Sequence, residues 1–405
     1  MIRDRLPKGF DAWVAATVGS DLGSGVLAFA LTWVATGYGP GTASMVLTLT
    51  VAPTVLFGLL GGAVADRYGP RRVMITCTIA LMLVSATLAL VVSAQGLSEV
   101  TLLVAAALIG SIAAFHRPAI GVFPRLFVAG NALGTAMARV GMASQLAGTL
   151  APPLGGLLVG AVALNGVAWV DVVGCLIMVT TLVMIHPPLR PTVAADATTF
   201  RGIRDGIAVA ARTRGVTALL LCVGIVAGAV LPAVILGVPL AARERGWSST
   251  EAGVIEAGWI AGGLVAGAWF SWRGTAARPW RPMAVGPFIV AIGLIGLAVS
   301  PTWPVATAST CVLGAGVVIF TAHVFPTYVL LAPETMLSRF QSLLMMVQRA
   351  PQLVITPLIG IVATAIGAGR MIAFAGGVAV LASIVVVSDK TLRTFTAEEQ
   401  HSEAG

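Results

Sequence analysis

Lysine is almost missing from this chain. Of 24 basic residues only Lys8 and Lys390 are lysines, and neither lies in a Gly-x-x-x-x-Gly-Lys-Ser/Thr loop. The chain therefore carries no Walker site with which to hold ATP. Histidine is scarce too: four residues, scattered, without a His/Cys cluster, which argues against a metal or haem cofactor. The four cysteines, Cys77, Cys175, Cys222 and Cys311, form no Cys-x-x-Cys pair and all fall in apolar runs, as small buried residues do. No Gly-x-Ser-x-Gly elbow is present. Charge as a whole is thin. Charged residues make up 10% of the 405 residues, against roughly 25% in soluble proteins, while 58% are hydrophobic and the mean hydropathy is +0.97. That excludes an ordinary soluble enzyme and a disordered chain, and implies an outer surface that faces lipid.

What remains is a series of long apolar runs with short charged punctuation. Residues 22–65 hold no charge but contain the turn signal GYGPGT at 37–42. Read this way, the chain predicts twelve spans, near 11–35, 43–65, 73–94, 100–122, 131–162, 167–186, 216–241, 251–271, 283–300, 304–330, 339–365 and 371–388. Each is long enough to cross a ~30 Å hydrocarbon core as a helix rising ~1.5 Å per residue. A β-barrel would need short alternating segments instead. Seven tryptophans (Trp13, Trp33, Trp169, Trp247, Trp272, Trp280, Trp303) fall near span ends, as an interfacial belt would place them.

The formal net charge is +8. Eighteen of the 24 basic residues fall in segments on one side of the predicted membrane, and only Arg243, Arg245 and Arg370 on the other. This positive-inside bias predicts that both termini are cytoplasmic. No basic stripe interleaves with stacking aromatics, so nucleic acid is not an expected partner. No cleavable signal peptide is expected at the N-terminus.

The longest polar stretch, 187–215, splits the spans six and six. Val-Phe-Pro at 122–124 recurs 202 residues later, at 324–326. Pro153-Leu154-Gly155-Gly156 is echoed at Pro357-Leu358-Ile359-Gly360, and Gly62 at Gly267. The chain is thus expected to be an all-α polytopic membrane protein with two pseudo-symmetric six-helix bundles. The bundles cover 1–190 and 216–390, with a cytoplasmic linker at 191–215 and a tail at 391–405.

The most specific motif is Gly61-Gly62-Ala63-Val64-Ala65-Asp66-Arg67-Tyr68-Gly69-Pro70-Arg71-Arg72, between spans 2 and 3. It resembles the loop signature of the major facilitator superfamily. The resemblance implies a conformational latch at Gly62, Asp66, Arg67, Gly69, Arg71 and Arg72. Gly62 is expected to allow close helix approach, and Asp66 to face the N-terminal end of helix 11, near Ser338. Ser271 replaces the acid in the second half, so the latch is expected to be asymmetric. A second stretch, Ala147-Gly148-Thr149-Leu150-Ala151-Pro152-Pro153-Leu154-Gly155-Gly156, resembles the antiporter motif of exporters in this superfamily, with Ala147 and Ala151 in place of two glycines. The resemblance implies that Ala151, Pro152, Gly155 and Gly156 are its functional positions. Phe115 to Asn131 resembles the helix 4–5 region of drug and siderophore exporters, and Ala332 to Arg339 the matching loop of enterobactin-type exporters.

Six charges stand inside predicted spans: Asp21, Asp171, Glu256, Arg117, Arg139 and Arg349. Each costs roughly 2.5–3.5 kcal/mol to insert, so each needs a partner or a wet cavity. Asp21 lies near mid-span, where it suits a proton-coupling or substrate site, or a structural pair with an arginine. Glu256 is a second candidate for proton coupling. Asp171 reads as an interfacial residue. Arg139 and Arg349 occupy pseudo-equivalent helices and either bind anionic groups or neutralise the carboxylates. Gln145, His323 and Trp33 complete the expected substrate-binding set. Gln348 and Gln352 are further polar candidates, and Phe29, Trp259, Phe320, Tyr328 and Met345 apolar ones.

The expected function is proton-coupled efflux of drugs or antibiotics, small amphiphilic organic molecules, by a monomer in the bacterial cytoplasmic membrane. A siderophore exporter is the alternative. A membrane sensor or intramembrane enzyme would need a soluble domain or a convergent catalytic group, neither of which the sequence offers.

Overall fold

The computed structural model describes residues 7–128, 132–189, 213, 215–274, 276, 278–332 and 337–394. Among them all regular structure is helical: α1 (Lys8–Ala35), α2 (Pro40–Tyr68), α3 (Pro70–Gln95), α4 (Glu99–Val122), α5 (Ala132–Met184), α6 (Val216–Ile235), α7 (Gly237–Glu244), α8 (Ser249–Arg273), α9 (Trp280–Val299), α10 (Trp303–Leu331), α11 (Leu337–Ile366), α12 (Ala368–Ser388) and α13 (Lys390–Thr394). In hydrocarbon a backbone must satisfy its own polar groups, and a helix does so within one segment.

Eleven of these segments, one formed by α6 with α7, are long and apolar enough to cross a membrane. One of them, α5, has 53 residues, about 80 Å at ~1.5 Å per residue, far more than a ~30 Å core needs. It is broken at Ala163, whose φ of 55° and ψ of −175° are not helical. The two arms are separate spans, so the expected twelve are present.

By internal contacts the chain divides into two units. Unit 1 is Met1–Ala197 with Ser248–Gly253, and unit 2 is Thr198–Trp247 with Val254–Gly405. Most of the expected linker, and the tail beyond Thr394, lie outside the described residues. In unit 1, α1 packs on α5, α2 on α4, and α3 on α4 and α5. Unit 2 repeats the plan, with α6 on α11 and α12, and α9 on α10 and α12. Close approach is made by glycine in both. A Cβ on Gly61 would overlap the Ala114 carbonyl of α4, and one on Gly314 of α10 would overlap the Trp259 carbonyl of α8.

One end of unit 1 is sealed by aromatics. Trp13 is fully buried, with its ring 4.8 Å from Phe123 and 5.7 Å from Phe10. It is a core residue and not the interfacial one its sequence position implied. Trp169, Trp272 and Trp303 are exposed, as belt residues are. In unit 2, helix ends are closed by charges of the sign their dipoles favour. Glu244 accepts from the Ala368 N–H at the start of α12 (2.8 Å), and Arg245 donates to the Ala298 carbonyl near the end of α9. Partial burial pulls the Arg245 guanidinium below its ordinary range.

Candidate functional site

The α2–α3 turn shows why its sequence has this form. Gly69 ends α2 at φ +86°, a conformation that L side chains rarely adopt, and Pro70 opens α3 where a missing N–H costs nothing. Arg71 reaches the last turn of α5, donating from Nε to the Leu182 carbonyl and from Nη2 to the Val183 carbonyl, both at 2.9 Å. It closes a helix C-terminus. Arg67 stacks over Tyr68 at 5.4 Å, while Asp66 and Arg72 are exposed. Gly62 has no neighbouring atom within 4 Å of where a Cβ would stand. The close approach expected of it belongs to Gly61. Ser271, at the matching place in unit 2, donates to its own helix at the Gly267 carbonyl.

The antiporter-like stretch on α5 is a packing face. A Cβ on Gly25 of α1 would stand 2.6 Å from Ala151, and one on Gly155 would stand 3.0 Å from Phe29. Small residues thus bring α1 against the first arm of α5. Inside the same unit, Ser249 Oγ donates to the Gly156 carbonyl at 2.7 Å, and a Cβ on Gly253 would overlap the Pro152 carbonyl. Ala151, Pro152, Gly155 and Gly156 therefore all touch or flank a tight helix contact.

Two carboxyls join α1 to α5, one from each helix. Asp21 is half-buried and accepts from Ser144 Oγ on the first arm of α5 at 3.0 Å. Arg117 on α4 acts on it electrostatically. Asp171, on the second arm, is only 2% exposed. It accepts from Ser24 Oγ of α1 (2.9 Å) and Ser85 Oγ of α3 (2.6 Å), with Cys175 Sγ at 3.9 Å. This corrects the interfacial reading of Asp171, which ties three helices together in the interior. Sequence position near a span end hides it, because α5 resumes at once beyond Ala163 and carries Asp171 behind α1. The serines escape sequence reasoning because lone hydroxyls in a helix give no signal until their partner is located.

Arg139 is engaged by a carboxylate, the second of its two expected roles, although that carboxylate is not one of the in-span acids. It pairs with Asp11 at 3.1 Å, with both side chains more than half exposed. Asp11 lies ten residues before Asp21 on α1, about 15 Å away by helical rise. Gln145, next to Ser144, is exposed, and Trp33 is half-buried near the end of α1.

In unit 2 the sequence candidates converge better. A cavity of about 260 Å³ between α6, α8, α10 and α11 is lined by Arg349, Gln348 and Gln352 on one wall. Trp259 and Phe320 lie on others, and Thr321 and Phe325 were not anticipated. The three polar residues come from one helix at i, i+1 and i+4, so a single face presents them. His323 is not part of this cavity lining. Its Nδ1 lies 2.8 Å from the Ile319 carbonyl and its Nε2 accepts from the Ala276 N–H at 3.1 Å. Phe270 packs edge-on against its ring, and both ring nitrogens are engaged by backbone groups away from the cavity. Tyr328 is buried as well, donating to the Phe340 carbonyl at 2.8 Å, while Met345 is exposed. Glu256 on α8 is 8% exposed, and no described residue forms a hydrogen bond or ion pair with it. Among the described residues no group of three or more His, Cys, Asp or Glu is placed to hold a metal ion.

Comparison with known proteins gives a consistent frame. The family model of the Major Facilitator Superfamily matches residues 13–356. A mutant form of the peptide transporter POT, solved in complex with alafosfalin, superposes with a TM-score of 0.72 at 16% identity, over 96% of each chain. The POT family transporter PepTSo gives 0.69 at 15% identity, over 95% of this chain and 97% of that one. A bacterial homologue of the human lysosomal transporter Spinster gives 0.66 at 14% identity, over 95% and 96%. A search of curated proteins returns no match. At these identities the solved structures establish the shared fold and leave the cargo open.

Proposed function

Because the chain belongs to the major facilitator superfamily and is a multi-pass membrane transporter, we propose that it exports small amphiphilic organic molecules in exchange for protons. In this reading it works by alternating access as a monomer in the bacterial cytoplasmic membrane, with both termini inside. The observation that carries the proposal is Asp21: a half-buried carboxyl inside a span, held by Ser144 and under the influence of Arg117. An acid in that setting can exchange a proton, and neutralising it changes the force between α1, α4 and α5. Glu256, buried without a partner among the described residues, is the second candidate for a coupling proton. The antiporter-like stretch of α5 supports export. Asp66 and the α2–α3 turn take the latch role that the family signature implies.

The unit 2 cavity takes the cargo in this proposal. Trp259, Phe320 and Phe325 suit an apolar or aromatic body, and Arg349, Gln348 and Gln352 a polar head. Arg349 is the one charged group in the lining, which favours cargo with an anionic group. That keeps the siderophore-exporter reading as the second one. Arg139, paired with Asp11, no longer contributes to it. The test is reconstitution in proteoliposomes with an imposed pH gradient. Asp21→Asn is expected to abolish pH-driven flux while leaving cargo binding. Unchanged pH-driven flux removes Asp21 as the coupling acid.

A further inference from the structure

Unit 2 has a place where two arginines gather on one ring and, among the described residues, no acid pairs with either. The guanidinium of Arg281, on the first turn of α9, lies 5.6 Å from the Trp280 ring centroid. That of Arg393, on α13, lies 6.0 Å from the same centroid. Two like charges therefore share one ring. Among the described residues neither arginine is in an ion pair. Asp389, four residues before Arg393, accepts from the Leu392 N–H at 3.0 Å. The arrangement differs from that at the end of α8, where one cation, Arg273, is shared between two rings, Trp269 and Trp272. Stacking favours a single cation on a ring, but a second one adds positive potential that an anion bound at the site would offset. Both arginines are exposed, so their forks are accessible to such an anion.

The surface below Arg281 points to what carries that anion. Val285, Phe288, Ile292 and Ile295 of α9 are 47–53% exposed. They follow Arg281 at i+4, i+7, i+11 and i+14, so they form one stripe headed by the arginine. From Arg281 to Ile292 the stripe runs about 16 Å, close to one leaflet of a ~30 Å hydrocarbon core. A charged head above an apolar strip of leaflet depth is complementary to a phospholipid. It is not complementary to a free phosphate, which would use only the head.

We propose that Arg281, Arg393 and Trp280 bind the phosphodiester headgroup of an anionic phospholipid whose acyl chains lie along the α9 stripe. The site depends on the chain being a membrane protein and is independent of its cargo and coupling ion. The test uses the full-length protein in neutral detergent, with phosphatidylglycerol or phosphatidylcholine added and retained lipid counted by native mass spectrometry. Phosphatidylglycerol is expected to be retained in preference to phosphatidylcholine. The Arg281→Gln/Arg393→Gln double variant is expected to lower that retention about tenfold. The Arg370→Gln variant, which removes an arginine elsewhere in unit 2, is expected to keep it. Equal retention of the two lipids by the unmodified protein overturns the proposal without any variant having to fold. Displacement of phosphatidylglycerol by millimolar inorganic phosphate would also overturn it, by making the site one for soluble phosphate.

Discussion

The two units share a packing plan and differ in how their in-span charged residues are partnered. Both pair their helices through glycines set on backbone carbonyls, in corresponding helix pairs of each half. Unit 1 keeps acids in its spans and surrounds them with hydroxyls: Asp21 with Ser144, and Asp171 with Ser24 and Ser85. In unit 2 an exposed cation, Arg349, lines a largely apolar cavity beside two glutamines. Glu256 breaks the contrast, as a buried acid in unit 2 without hydroxyl support among the described residues. The packing can repeat because it depends on side-chain size alone. Charges need individual partners, so a duplicated frame can diverge there first without losing its helices.

The contrast can be broken most directly at Asp21. If unit 1 handles protons and unit 2 handles cargo, Asp21→Asn abolishes pH-driven flux and Arg349→Gln does not uncouple what flux remains. Loss of coupling in Arg349→Gln would merge the two roles. Next in size, Arg349→Gln is expected to weaken binding of an anionic cargo by about 10- to 100-fold, the range for losing a charge-assisted hydrogen bond. A neutral cargo of the same shape should be affected far less, and equilibrium binding in detergent reads the difference. Asp171→Ala tests whether the second acid of unit 1 is structural. It leaves the Ser24 and Ser85 hydroxyls without their acceptor, and should cost about 1–3 kcal/mol of stability, seen as a lowered melting temperature. Preserved stability combined with lost coupling would move Asp171 into the proton pathway. The smallest effect sharpens the packing side of the comparison. Gly61→Val should destabilise by about 1–3 kcal/mol because it meets the Ala114 carbonyl. Gly62→Val, with open space around it, should stay within about 0.5 kcal/mol. Equal effects in a thermal melt would mean that Gly62 also meets a neighbour during the cycle.

Much of the architecture can be read from residue order. The apolar runs predict a break between the fifth and sixth spans just after residue 162, and the chain turns at Ala163. The Gly69-Pro70 boundary and the small face of α5 are visible as motifs, and both shape the helices where they stand. Within the sites, the cavity residues Arg349, Gln348, Gln352, Trp259 and Phe320 are all candidates from the sequence. The partners of Arg139, His323 and Asp171 are hidden in the sequence for one shared reason. Depth along a span does not say which way a side chain faces. Arg139 turns to Asp11, His323 spends both ring nitrogens on backbone, and Asp171 turns inward to α1 and α3.

The sequence alone determined that this is a twelve-span membrane protein in two related halves. Scarce charge and long apolar runs admit no other way of solvating the surface. It also marked the α2–α3 turn, because a left-handed glycine and a helix-opening proline are local requirements. Only the tertiary structure decided which charges meet. Partnership joins residues far apart in the chain, such as Ser85 with Asp171 and Arg71 with Leu182, and a one-residue rotation of a helix would exchange those partners. The low charge content is set by lipid and can be read in any order, whereas the use of each remaining charge is set by its neighbour in space.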